Sequence, residues 1–162
     1  MKNYCKKTLS GFTLIELVIV IVLTGIIGAI ATKMLAQGLN AYLTSKNVAD
    51  ADWQGRLALE RMTRDIRAVR SPTDIALATS SQFTFTDSNG SSVAYTLSGS
   101  NLMRNSQALA NGISTLTFQY YDETGVITAI TTAIRYISIT LNVTQGNSNM
   151  SFTTSVYPRN LP

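Results

Sequence analysis

The sequence predicts an α+β fold, with one long N-terminal helix, apolar in its first half, packed on an antiparallel β-sheet. Three observations carry this prediction. Residues Phe12 to Ala31 form a twenty-residue apolar stretch interrupted by a single carboxylate, Glu16. No proline occurs between Thr32 and Arg70, so helix can continue until Pro72 breaks it. Beyond Pro72 the apolar period changes from 3.6 to 2, the period of strands.

The apolar stretch sets the organisation. At ~1.5 Å per residue, about twenty residues cross a ~30 Å hydrocarbon core, and only a helix satisfies its own backbone there. The predicted helix runs from about Thr13 to about Arg70. Gly25, Gly28 and Gly38 are its weak points, each costing about 1 kcal/mol against alanine in water. Gly25 and Gly28 suit either a bend in the apolar half or close helix–helix packing. An ionised carboxylate such as Glu16 at lipid depth costs several kcal/mol, so its presence asks for a partner. A carboxylate that merely snorkels to the membrane face is the alternative.

The run Gly11-Phe12-Thr13-Leu14-Ile15-Glu16-Leu17, after a short basic leader, resembles the processing motif of type IV prepilins and type II secretion pseudopilins. The resemblance implies cleavage by a prepilin peptidase between Gly11 and Phe12, N-methylation of Phe12, and an assembly role for Glu16. It divides the chain into a leader (1–11), a transmembrane and assembly helix (12–31), a helix continuation (32–71) and a periplasmic sheet domain (72–162). The implied partners are other pilins or pseudopilins, the prepilin peptidase, an inner-membrane assembly platform and the membrane itself. Physics agrees with the implied role of Glu16. Cleavage would leave an α-amine on Phe12, and Glu16 of one subunit could meet the amine of the next. At 4 Å the Coulomb attraction is about 4 kcal/mol at an effective dielectric of ~20, and each charge alone would be stranded.

Composition excludes several classes. Thirteen basic and nine acidic side chains give +4, but Lys2, Lys6 and Lys7 lie in the leader. The mature chain is near neutral, which argues against a nucleic-acid surface. The single cysteine, Cys5, is also in the leader, so the mature chain would have no disulfide. With no histidine, histidine-based triads, metal sites and proton shuttles are ruled out. The leader is too short and polar for a secretory signal with its own apolar core. Lysines ahead of the apolar run place the helix N-terminus in the cytoplasm and the rest of the chain across the inner membrane.

In the second half of the helix, Leu59, Met62, Ile66 and Val69 form a stripe expected to pack on the sheet. Arg61, Arg64 and Asp65 are expected to point away, with Glu60–Arg64 and Arg61–Asp65 as i,i+4 pairs. Trp53 and Leu57 lie roughly 120–160° from Leu59 at 100° per residue. They either contact a neighbouring subunit or cover the domain's edge. The segment Arg56–Arg70, RLALERMTRDIRAVR, together with Val93–Gly125, resembles minor pilins of the W type and J-type minor pseudopilins. That resemblance implies a subunit that helps to initiate or cap a filament; a major pilin, or a filament-borne adhesin or DNA-uptake subunit, is the alternative.

After Pro72, five or six strands are expected. Phe83 and Phe85 share a face, as do Val93, Tyr95 and Leu97, with Asp87-Ser88-Asn89-Gly90 as the hairpin turn between them. Leu116, Phe118 and Tyr120 alternate, then Ile137 to Val143, then Phe152 to Val156, with turns at Gly125 and Gly146-Asn147. The stretch 127–133 reads as a loop or short edge strand. Asp87 and the Asp122-Glu123 pair suit ordinary turn chemistry better than calcium, which needs six to eight oxygens. Of Tyr120 and Tyr121, alternation buries one ring. Arg104 and Arg135 are expected on solvent-facing strand positions. With no phosphate loop, nucleophile–base pair or metal-spaced cluster, no enzyme activity and no cofactor is expected.

Overall fold

A computed structural model describes residues 11–159. Cys5, Lys2, Lys6 and Lys7, in the stretch expected to be a leader, lie outside the described residues. One helix, α1 (Leu14–Arg67), precedes eight strands: β1 (Ile75–Ala78), β2 (Phe83–Thr86), β3 (Ser92–Ser98), β4 (Asn101–Arg104), β5 (Gln107–Ala110), β6 (Ile113–Tyr121), β7 (Tyr136–Gln145) and β8 (Ser148–Val156). The chain divides between Leu43 and Thr44 into two compact units. The first holds the apolar half of α1. The second holds the rest of α1 and all the strands.

The strands form two antiparallel meanders, β1-β2-β3-β4-β5 and β6-β7-β8. The sequence predicts one sheet of five or six strands; the structure has eight strands in two sheets. Strands β1, β4 and β5 have four residues each and lack the paired aromatic residues that mark the equally short β2. The chain leaves the first sheet at Asn111-Gly112. Gly112 takes φ +71, a conformation that L side chains rarely adopt, and its carbonyl accepts from the Thr144 amide at 2.7 Å. Stretch 127–133 makes one bridge, Tyr121 to Ile127, and ends in a single-turn 3-10 helix, Thr131–Ala133.

The alternating residues behave as the period demands. Phe83, Phe85, Val93, Tyr95, Phe118 and Tyr120 are buried, as are Ile137, Ile139, Leu141 and Val143. From α1 the core receives Ala51, Ala58, Met62 and Ile66, and Val69 follows from the turn after the helix. Leu59 lies at the margin of this face, so the buried stripe begins with smaller residues than expected. Gly55 also belongs to it: a Cβ there would overlap the Phe152 ring. The small residues therefore bring the helix close to β8.

Asp65 overturns a second expectation. It does not point away from the sheets but is 9% exposed, the one buried charged residue among those described. Its Oδ2 accepts from the Tyr95 hydroxyl at 2.8 Å and from Arg104 Nε at 2.6 Å, while Arg61 Nε lies 3.3 Å from Oδ1. Arg104 is therefore not a free solvent-facing residue. Its charge compensates a carboxylate that the helical stripe delivers to the first sheet. Arg135 is also displaced from expectation. It precedes β7, and its Nη1 donates to the carbonyls of Thr132 and Ile134, both at 3.2 Å.

Burial, then the hydrogen bond to Asp65, raises the pKa of Tyr95 well above the ordinary ~10; burial does the same for Tyr120. The unfolded phenols ionise first, so this contribution to stability is complete below pH ~10 and declines as pH rises beyond it. We expect the melting temperature to fall above pH ~10, and to fall less steeply in a Tyr95→Phe/Tyr120→Phe double variant. At neutral pH, Tyr95→Phe removes one donor to Asp65 and should cost about 1–2 kcal/mol by chemical denaturation followed by circular dichroism.

Candidate functional site

The amino-terminal segment is built around a helix start. Gly11, Phe12 and Thr13 are non-helical, and α1 begins at Leu14. Thr13 caps it: its Oγ1 accepts from the Glu16 amide at 3.3 Å, and its carbonyl accepts from the Leu17 amide at 3.2 Å. Thr13-x-x-Glu16 has the spacing of a capping box, a pattern legible in the sequence but not used there. The cap places Glu16 in the first turn, where the helix dipole favours a negative charge. Phe12 stands just outside that turn and is 85% exposed.

The apolar half of α1 is bare. Leu14, Ile15, Val18 to Leu23, Ile26, Ile27 and Ile30 are all exposed. Along this stretch Thr24 and Thr32 return their hydroxyls to the carbonyls of Val20 and Gly28, at 2.7 and 2.8 Å. Both hydroxyls are thereby satisfied within the helix itself. Among the described residues this is the one helix long and apolar enough to cross a membrane. The helix is unbroken at Gly25, Gly28 and Gly38, and a Cβ at any of them would meet nothing within 4 Å.

Trp53 and Leu57 lie one turn apart on α1, 65% and 37% exposed, on a face away from Ala51, Gly55, Ala58 and Met62. Nearby pairs, Asp52–Arg56 at 2.8 Å and Glu60–Arg64 at 2.7 Å, flank them on the helix surface. The acidic turns satisfy themselves. Asp122 Oδ1 accepts from the Thr124 hydroxyl and amide and from the Val126 amide, at 2.7, 2.9 and 3.0 Å. The Thr124 hydroxyl foremost, then the Val126 amide, holds this carboxyl below the usual range. Asp87 Oδ1 likewise accepts from the amides of Asn89 and Ser91, at 2.8 and 2.9 Å. Beside the Asp122 turn, Tyr121, Tyr136 and Tyr157 stack with ring centroids 4.6 and 5.0 Å apart, a surface ladder that alternation alone did not foretell.

Because Trp53 makes no core contact, Trp53→Ala should change the unfolding free energy by less than about 0.5 kcal/mol in a urea titration followed by circular dichroism.

No curated protein matches the chain. The prokaryotic N-terminal methylation motif does match it, over residues 7–32, the span that contains Gly11, Phe12, the Thr13 cap and Glu16. On that match, the chain carries the amino-terminal motif of a prepilin-like precursor.

Proposed function

We propose that this chain is a minor pilin or minor pseudopilin, processed by a prepilin peptidase, that helps to initiate or cap a type IV pilus or type II secretion pseudopilus. The observation that carries this reading is the methylation motif at residues 7–32, coincident with the capped start of a bare apolar helix. In this reading 1–11 is the leader, 12–31 the transmembrane and assembly helix, 32–71 its continuation and 72–162 the periplasmic domain. The peptidase cuts between Gly11 and Phe12, and the Phe12 amine is methylated. The subunit waits in the inner membrane with its N-terminus cytoplasmic, and an assembly platform extracts it into the filament. Glu16 then neutralises the Phe12 amine of an adjoining subunit, and Trp53 and Leu57 contact a neighbour.

The minor-subunit reading draws on two further features. The only cysteine, Cys5, falls in the leader, so the mature chain lacks a disulfide to brace a shaft subunit. The two stretches that resemble W-type and J-type subunits also meet physically: Asp65 comes from the first, and Tyr95 and Arg104 from the second. Their resemblance thus includes the groups that fasten helix to sheet.

Mass spectrometry of the chain from its native host should show a mature N-terminus at Phe12 bearing one methyl group. An intact leader in cells with an active peptidase would overturn the reading. Glu16→Ala should leave cleavage and membrane insertion unchanged while incorporation into filaments falls at least about tenfold, measured by immunoblot of sheared filaments; normal incorporation would remove Glu16 from assembly.

A further inference from the structure

Edge strands expose unpaired N–H and C=O groups, and proteins blunt them with shortness, bulges, charges, proline or a cover. Four edges bound the two sheets. Strands β1 and β5 are four residues long, and each has a register irregularity against its neighbour. The outer side of β6 is tied down: Phe118 donates to the Ser80 carbonyl and Ile113 to the Ser100 carbonyl, at 2.8 and 2.9 Å. Strand β8 has none of these protections. It is nine residues long, pairs with β7 in nine consecutive steps without a bulge, and contains no charge, proline or glycine. At ~3.4 Å per residue, its open edge is about 30 Å long.

The register identifies which groups face outward. Gln145 and Ser148 close a two-residue turn, so they form a hydrogen-bonded pair, and bonded and non-bonded pairs then alternate along the hairpin. Asn149, Ser151, Thr153 and Ser155 therefore aim their amides and carbonyls away from β7. Two observations agree with this phase. Thr144, opposite Asn149, donates its amide to Gly112 and not to β8. The Thr140 and Thr153 hydroxyls meet at 3.2 Å, the close approach of a non-bonded pair.

This edge borders an open groove of about 1010 Å³ between β8 and α1. Arg56, Arg64, Arg67 and Arg159 line it, against one carboxylate, Glu60, with Phe152 as an apolar floor. Arg56 and Arg64 are paired with Asp52 and Glu60, whereas Arg67 and Arg159 have no carboxylate within 4.0 Å among the described residues. We infer that the β8 edge and this arginine groove form a docking site for an extended, acidic segment of another protein, which adds as a strand beside β8. Main-chain bonds to Asn149–Ser155 supply affinity, and carboxylates on alternate residues meet Arg67 and Arg159. The site uses only the unit from Thr44 onward, so it stands or falls independently of leader cleavage and filament assembly.

The test is fluorescence anisotropy with the full chain in detergent micelles and a fluorescein-labelled nonapeptide alternating valine and glutamate. The acidic peptide should bind, and a valine–lysine version should bind at least tenfold more weakly. Thr153→Pro removes an outward amide without breaking a main-chain bond to β7 and should weaken binding at least tenfold; the Thr140–Thr153 hydroxyl contact it also loses is controlled for by the next variant. Thr153→Val should bind as the natural chain does. Arg67→Ser with Arg159→Ser should weaken binding and flatten its salt dependence. If Thr153→Pro unfolds the chain, the acidic peptide methylated on alternate amides replaces it, and should fail to bind the unaltered chain. Equal binding of the lysine peptide, of the N-methylated peptide or of folded Thr153→Pro would overturn the site. So would no binding at all, or self-association of the chain that Thr153→Pro abolishes, which would make a second copy the occupant.

Discussion

The fold depends on burying one face of α1 against both sheets at once. Ala51, Gly55 and Ala58 are small enough to let the backbone approach, and Met62 and Ile66 join Phe83, Phe85 and Tyr95 in one buried core. The buried residues of both meanders and of α1 belong to one shared core. In the first meander, four of the five strands have only four residues, and the second has three strands. Each acquires a core only because the helix and the other sheet cover its apolar face. The C-terminal part of α1 thus contributes to a core that both sheets share.

Asp65 adds direction to that packing. Apolar burial alone would tolerate small slips of the helix along the sheets. A carboxylate that must meet both the Tyr95 hydroxyl and the Arg104 guanidinium tolerates far less, because a slip would leave a buried charge unpaired. The amino-terminal half of the same helix follows the opposite rule. Its side chains from Leu17 to Ala31 are almost all apolar, and its large apolar side chains are exposed among the described residues. One continuous helix therefore carries two chemistries, divided near Leu43.

Much of this was legible in the sequence. The helix, its end near Arg70, the Asp87–Gly90 hairpin and the three long alternating strands were all readable, because each has a period or breaker longer than the noise. The failures have physical causes. Asp65 sits at a stripe position, but a charge there reads as solvent-facing until its partners, 30 and 39 residues away, are known. Arg104 was misplaced for the same reason. The division into two sheets turns on Gly112, whose φ +71 leaves no mark on the alternation around it. At the candidate site, Gly11, Phe12 and Glu16 were singled out by a motif that the chain matches over residues 7–32, and the Thr13 cap was available in the same residues. The β8 edge was not, since openness is a property of what fails to pair with a strand.

The chain has one tryptophan, and it lies outside the core. Trp53 already meets solvent in the folded state, so unfolding should move its ultraviolet emission maximum little. A blue shift would instead report that something has come to cover this side of the helix. The protein thus carries an intrinsic optical reporter of association that is largely blind to its own folding.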